Sequence, residues 1–546
     1  MKLKIFYLTI IISFLNIVFA QTNDLPNIVK KDNRYTLIVD GEPFLILGAQ
    51  CNNSSAWPAA LPDVFSTMKE LNANTLEIPI YWEQFEPQEG VFDYSVVDEI
   101  ISKAQENNLR LVLLWFGTWK NSSNHYMPEW MKLQSDKFPN MVNSKGEKID
   151  SPSPHIEATL QADIKAFSAL MQHLKEFDTQ HTVIMVQVEN EPGCWDSVRD
   201  FSEQAENIFN KPVPAEILKA LNLSPESNKN WTDVFGKDAD EYFYTWHIAA
   251  FINQVAKAGK EIYPLPLYVN AAVRNPFNPG VYEVGGPTDN VFHIWKAAAP
   301  NIDILAPDIY ENDTEVYLKL LELYSYPDNP LFIPETIFRN PFPKFFYSAL
   351  GFGAIGYAPF GLDNIRTRIK ENGETMTDEE ILEPTALNFR IFKPMAREIA
   401  KLNFEGKIKT AIQESAVNPE SDRGSSTDRK NYITDKTLSF DGWDFDAAFG
   451  TFGRLNRLKT QPEQPDGRVL IAELEKNKFL ITGYHVRILP RPVPKTNGCD
   501  WYYLKVEEGY YENGEFIVKR ILNGDQTDWG LRFNTPTVLR VTLYTR

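Results

Sequence analysis

The chain has 546 residues, 43% of them hydrophobic and 23% charged. This ordinary globular balance excludes a disordered chain, a collagen and a coiled coil. The formal net charge of −18 is dispersed along the chain and no long basic run occurs, so neither nucleic acid nor an anionic membrane surface is an expected partner.

The first segment reads as an export signal. Lys2 and Lys4 precede an apolar run from Ile5 to Phe19, and Val18-Phe19-Ala20 places small residues at −3 and −1 of a cleavage site before Gln21. Residues 1–20 are therefore expected to be removed, leaving a secreted or periplasmic protein. No later stretch is apolar over the ~18 residues that a membrane span needs. Cys51, Cys194 and Cys499 are few and odd in number, so no disulfide framework is expected. The seven histidines are scattered without zinc spacing, and neither a metal nor a cofactor is expected.

Tyr35–Val39, Asp40-Gly41 and Glu42–Leu45 predict a hairpin. From there short apolar runs alternate with helical stretches. The runs are Phe44–Ala49, Thr75–Ile80, Leu109–Phe116, Val183–Val188, Leu265–Val269, Ile302–Ala306, Leu331–Ile333 and Ala354–Ala358. Between them lie the helical patterns Leu61–Leu71, Val96–Asn107, Ala162–Phe177 and Asp240–Ala258. Continuous apolar strands separated by helices indicate a parallel sheet buried on both faces. Eight such units fit an α/β fold of the (β/α)₈ TIM-barrel type, with an open doubly wound sheet as the alternative. Gly351, Gly353 and Gly356 match the dinucleotide pattern GxGxxG, but a helical stretch, Pro343–Leu350, precedes them and a strand follows, the reverse of what nucleotide binding needs.

Around Ser415–Asp435 the chain turns polar. Beyond it Arg468–Leu474, Lys478–Thr482, Trp501–Val506, Glu515–Ile521 and Val538–Thr545 read as antiparallel strands, with hairpin signals at Asn513-Gly514 and Asn523-Gly524. The expected layout is a leader over 1–20, a barrel with its N-terminal hairpin over 21–400, and a β-sandwich over 401–546.

In barrels, chemistry stands at the C-terminal ends of the strands. After Val183–Val188 come Glu189, Asn190 and Glu191; after Leu331–Ile333 come Pro334 and Glu335. Two carboxylates facing one mouth are what glycoside hydrolysis needs. Glu189 and Glu191 share a strand parity, but Glu191 stands further past the strand end and directly follows Asn190, whose amide could bond the hydroxyl beside the anomeric carbon. The reading is Glu191 as general acid/base and Glu335 as nucleophile.

These positions resemble the retaining (β/α)₈ glycosidase clan. Further segments narrow the likeness: Gly48-Ala-Gln-Cys-Asn-Asn-Ser-Ser-Ala56, Pro79-Ile-Tyr-Trp-Glu-Gln-Phe-Glu-Pro-Gln-Glu-Gly90 with Phe92-Asp93, Trp115-Phe-Gly-Thr-Trp-Lys-Asn121, Gln187-Val-Glu-Asn-Glu191 and Ala358-Pro-Phe-Gly-Leu-Asp363. Together they resemble glycoside hydrolase family 35, in its bacterial branch with a C-terminal β domain. Gln50-Cys51-Asn52 departs from that family's first-strand segment. The resemblance implies a retaining exo-β-galactosidase, acting on oligosaccharides or on plant cell-wall side chains such as those of xyloglucan. It also implies that Tyr310 hydrogen-bonds the nucleophile.

The 13% aromatic content then acquires a use. Flat rings stack on the apolar faces of sugars while polar side chains take the hydroxyls. Tyr81, Trp119 and Trp195 are the candidate stacking rings, with Asn121 and Asn270 as candidate hydroxyl partners and a carbohydrate as the partner. His125 and His293 read as structural. Another sugar specificity within the clan and a non-catalytic carbohydrate-binding protein stay open, as does the oligomeric state.

Overall fold

The structure, a computed structural model, describes residues 25–224, 228–363, 373–414, 435–453, 458–460, 465–493, 501–512 and 514–545. The expected leader, Cys499, Asn513 and nearly all of the polar stretch 415–435 lie outside them. No helix among the described residues is long and apolar enough to cross a membrane.

Eight parallel strands close into a barrel: β1 (Ile46–Gln50), β2 (Thr75–Tyr81), β3 (Arg110–Lys120), β4 (Val183–Asn190), β5 (Leu267–Ala272), β6 (Ile304–Ile309), β7 (Phe332–Ile333 and Glu335–Thr336) and β8 (Gly356–Tyr357). Pro334 divides β7 into two short pieces. The first pairs with β8 and the second with β6, so the broken strand is the seam of the barrel. A proline has no N–H for a ladder, so a break is where it fits. β8 pairs onward with β1. At that junction a Cβ on Gly356 would stand 2.5 Å from the Cβ of Ile46, so closure needs a residue without one.

Helices α1 (Leu61–Leu71), α2 (Ser95–Glu106), α3 (Glu157–Phe177), α4 (Ala239–Ile262), α5 (Phe292–Ala298), α6 (Thr314–Tyr324), α7 (Phe345–Gly351) and α8 (Asp378–Phe392) follow the strands in turn. Their sequences carry their own boundaries. Pro62 stands in the first turn of α1, and Asn72 closes that helix in the left-handed conformation at φ 59°. Asp313 caps α6 by accepting from the N–H groups of Glu315 and Val316. α3 buries Leu160, Phe167, Leu170, Met171 and Leu174 on one face, which packs on α4. Gly259 permits the close approach, because a Cβ there would meet the Phe167 ring at 2.3 Å.

The expected N-terminal hairpin is present with one more strand, Asn27–Lys31, added to Arg34–Val39 and Glu42–Phe44. The GxGxxG glycines fall as the strand order suggested: Gly351 ends α7, Gly353 turns the chain at φ 88° and Gly356 lies in β8.

After a helix at Ala396–Phe404 the chain builds two antiparallel sheets. One has six strands, 408–412, 468–475, 478–484, 537–545, 501–512 and 515–521; the other has four, 436–440, 443–449, 486–492 and 531–533. Val469, Ile471, Phe479, Ile481 and Val541 meet Trp443, Phe445, Phe449 and Ile488 between them, making a sandwich. The alternate residues Leu470, Ala472, Leu480 and Val538 join the barrel's own core. The six-stranded sheet is thus buried on both faces over part of its width, so Val469–Ala472 is a continuous apolar run. Asn523-Gly524 does not turn a hairpin. Asn523 caps a short 3₁₀ turn at Gly524–Gln526, which leads to 531–533 in the other sheet.

Candidate active site

The end of β4 breaks the alternation of a strand. Glu189 has φ 62° and Glu191 φ 42°, both in the region that non-glycine residues rarely adopt. Such strain concentrates at functional sites. Its effect here is to send the two glutamates to different places. Glu189 is wholly buried beside Asp163 of α3. Trp115 Nε1 and Thr118 Oγ1 donate to Asp163 at 2.9 and 2.5 Å, and the Trp119 N–H donates to Glu189 Oε2 at 2.7 Å. Burial, then the neighbouring carboxyl, pushes Glu189 up; Asp163 is also raised by burial and shares a hydrogen bond with it. The pair holds a proton and faces a helix, not the mouth.

Glu191 turns inward, its N–H donating to Asn270 Oδ1 at 2.9 Å. One oxygen each of Glu191, Asp308 and Glu335 lie within 4.8 Å of one another. Glu335 is 5% exposed and takes hydrogen bonds on both oxygens, from Gln50 Nε2 at 2.9 Å and from the Tyr310 hydroxyl at 2.7 Å. Asn270 Nδ2 donates to Asp308 Oδ2 at 2.6 Å. Full charges this close repel by roughly 3 kcal/mol even at an effective dielectric near 20. The site therefore retains protons. Burial, then Glu335, raises Glu191 to about 7, against the opposing charge of Lys120 and a hydrogen bond with Asp308. Asp308 is pushed well up by burial, then by Glu335 and Glu191. Three acids at this spacing would also suit a hard cation; a proton shared by Asp308 and Glu191 competes for the same space.

More acids flank this group. Glu77 of β2 is wholly buried below it, raised by burial and then by Glu335, and accepts from Tyr268 at 3.4 Å. Glu283, on the loop after β5, is raised to about 8 by burial and then by Glu191, and accepts from Ser122 Oγ at 2.6 Å. Lys120 donates to Asn190 Oδ1 at 2.8 Å and also to Asn121 Oδ1. With its oxygen engaged, Asn190 leaves a buried Nδ2 without a partner among the described residues. The loop after β3 follows β4 outward, the N–H groups of Asn121 and Ser122 donating to the carbonyls of Asn190 and Glu191.

The structure brings Glu191, Glu335, Tyr310, Asn190 and Asn270 together, with Asn121 tied to Asn190. The stacking rings fall differently. Trp119 has no exposed surface and packs edge-on to Phe251 of α4, with centroids 4.8 Å apart. The cause is the length of β3, which runs to Lys120 and not to Phe116, so Trp119 is still a strand residue facing a helix. Tyr81 is 4% exposed, stacked on Tyr126 at 5.1 Å, its oxygen accepting from the Ala56 N–H. Neither offers an open ring face. Trp195 is 49% exposed, with Tyr282 and Val284 around a cavity of about 320 Å³. His125 and His293 stand outside the bonded carboxylate network.

The apolar-run reading missed Gln50, Lys120, Glu77, Asp308 and Glu283 as parts of the site. Asp308 had a signal: it shares strand parity with Tyr310, two residues on, and both stand at the end of β6.

Comparison with known proteins places the matching family elsewhere than expected. Residues 52–242, about a third of the chain, match the model of glycoside hydrolase family 42, described as β-galactosidase. This corrects the family-35 resemblance; the two families share a clan. Residues 385–534 match a domain of unknown function, DUF5597. A β-galactosidase of Xanthomonas manihotis is 26% identical over 160 residues, covering 29% of this chain and 25% of that protein. One from Bacillus licheniformis is 24% identical over 170 residues, 28% of this chain and 24% of that protein. The match thus spans about a quarter of the length of these curated relatives. Among solved structures, a catalytic mutant of a family-42 β-galactosidase from G. stearothermophilus superposes with a TM-score of 0.50 at 14% identity, covering 66% of this chain and 58% of that one. At that identity the likeness shows the barrel fold alone.

Proposed function

We propose that the protein is a retaining β-galactosidase. The observation that carries this reading is the Glu191–Glu335 pair, one oxygen of each lying within 4.8 Å of the other, in surroundings that differ. Retention needs carboxyl groups about 5–5.5 Å apart, whereas inversion needs a wider gap for water. The galactoside half of the proposal is supported by the printed description of the family model over residues 52–242.

Glu335, steadied by Gln50 and Tyr310, attacks the anomeric carbon as the glycosidic C–O bond breaks. Glu191 gives its proton to the departing oxygen. In the second half Glu191 takes a proton from water, the resulting hydroxide oxygen bonds the anomeric carbon, and the Glu335 ester bond breaks. Asn190 Nδ2, which has no acceptor among the described residues, donates to the hydroxyl beside the anomeric carbon. Trp195 is the one candidate ring whose face is open to a sugar. The substrates proposed are terminal β-D-galactosyl residues on oligosaccharides or plant polysaccharide side chains, met by an exported enzyme whose leader ends at Ala20.

A panel of aryl glycosides tests this. Release from the β-galactoside, with the β-anomer of galactose formed first by proton NMR, is the expected result. No release from the β-galactoside overturns the sugar assignment, and an α-anomer formed first overturns retention.

A further inference from the structure

We propose that Asp308 is a positioning residue that carries a proton and donates it as a hydrogen bond to the Glu191 carboxylate, setting the pH range over which Glu191 exchanges its own proton. The inference rests on the glycosidase reading of Glu191 and Glu335.

Geometry carries it. Asp308 is 1% exposed and lies at the end of β6, two residues before Tyr310 and on the same face. Its Oδ2 accepts from Asn270 Nδ2 at 2.6 Å, and the orientation of that amide is fixed because Asn270 Oδ1 accepts the Glu191 N–H. Asn270 therefore ties Asp308 to the backbone of Glu191. Asp308 Oδ1 is buried with no N–H or hydroxyl donor among the described residues. One oxygen of Asp308 lies within 4.8 Å of one of Glu191, and the two carboxyls share a hydrogen bond. Two carboxylate oxygens cannot bond each other unless one carries a proton.

The surroundings keep that proton on Asp308. Glu335 faces it from β7, Glu191 from β4, Tyr268 from β5 and Tyr324 from α6, and Tyr310 stands beside it on β6. None of these is a cation. Glu77 lies beyond, against Glu335, and Glu283 lies on the far side of Glu191. Lys120, the cation in the group, acts on Glu191 and donates to Asn190 and Asn121. When Glu191 protonates the leaving oxygen it becomes an anion, and the Asp308 O–H is the donor that meets it. The proton remains on Asp308 throughout, and the one lost by Glu191 returns from water.

The test compares Asp308→Asn with Asp308→Ala in pH profiles of kcat/KM on an aryl β-galactoside, with folding checked by circular dichroism. Asparagine is neutral and keeps a donor, so the alkaline limb stays within about 0.3 pH unit of the parent while the rate falls a few-fold. Alanine removes the donor, so the limb rises by about 1 unit and kcat falls with KM nearly constant. A limb that drops by about 1 unit in Asp308→Asn means an anion was removed, and the proposal fails. It fails equally if the alanine limb does not move. Infrared spectra of ¹³C-aspartate-labelled protein at pH 7 answer without turnover. A protonated carboxyl band that shifts in Glu191→Gln supports the proposal, and no such band overturns it. If the chain cleaves no glycoside, the functional reading falls while the infrared result still decides the proton.

Discussion

The Tyr310 hydroxyl lies 2.7 Å from Oε2 of Glu335, while Gln50 holds the other oxygen at 2.9 Å. Both donors are neutral, Gln50 at the end of β1 and Tyr310 just past β6, so the carboxylate is fixed in direction without being neutralised by a cation. Hydrogen bonds to charged groups contribute about 1.5–3 kcal/mol. Tyr310→Phe should therefore lower kcat by roughly ten- to a hundredfold with a smaller change in KM. Steady-state kinetics on the aryl β-galactoside checks this, and an unchanged kcat would remove Tyr310 from the site.

Glu189 and Glu191 should separate cleanly. Glu191→Gln removes the acid/base, so turnover should fall by about 10²–10⁴-fold. Azide, which needs no base, should restore release and yield a β-galactosyl azide. Glu189→Gln disturbs the buried pair with Asp163 and should lower the melting temperature, leaving turnover of the folded protein within about tenfold. The opposite pattern would mean that the roles are exchanged.

Activity should decline as pH rises through about 7, because Glu191, raised to about 7, must be protonated to donate. Lys120 lowers that value with its charge. Lys120→Met should move the alkaline limb upward by about 1 unit. It should also reduce kcat, since Asn190 loses the donor that orients it. A limb that moves downward would contradict the electrostatic account.

Acid should weaken the packing of the segment just before α3 against α4. His155 is buried and His247 half-buried, with ring centroids 4.7 Å apart, and neither His155 nitrogen has a partner among the described residues. Burial, then a neighbouring charge, holds them down to about 4 and about 3. A depressed histidine is neutral in the fold and protonates first when unfolded. Its contribution is therefore full above pH 6.5 and is lost as pH falls toward 4, at roughly 2 kcal/mol for each ring between pH 7 and 5. The buried carboxyls, raised in the fold, act in the opposite sense, so the comparison is between variants. His247→Phe should flatten the acid side of the melting-temperature profile relative to the parent. An unaltered slope would exclude the pair as its cause.

Much of the barrel was legible because a strand buried on both faces is apolar throughout, and each run from Thr75 to Ile333 marks a strand within a few residues. The same rule hid the site. Apolar runs stop where polar residues begin, so Ile302–Ala306 ended before Asp308 and Leu109–Phe116 ended before Trp119. Parity could not divide Glu189 from Glu191, because positive φ angles reset the faces there and glutamate carries no local sign of adopting them. The strands at 436–449 and 486–492 were missed because charged residues such as Asp444, Asp446 and Arg491 interrupt their alternation. Those residues pair across the sheet, with Arg491 bonded to Asp446.

The six-stranded sheet gives one side to its partner sheet and part of the other to the barrel. Leu470, Ala472, Leu480 and Val538 have no home except against the barrel's helices. A chain cut after Phe404 would bare the surface that they cover, and a sandwich made alone would carry an oily face into water. Barrel and sandwich should accordingly melt in one calorimetric peak, and an expression fragment ending near residue 404 should aggregate. The C-terminal region is the other half of the hull that keeps the barrel watertight.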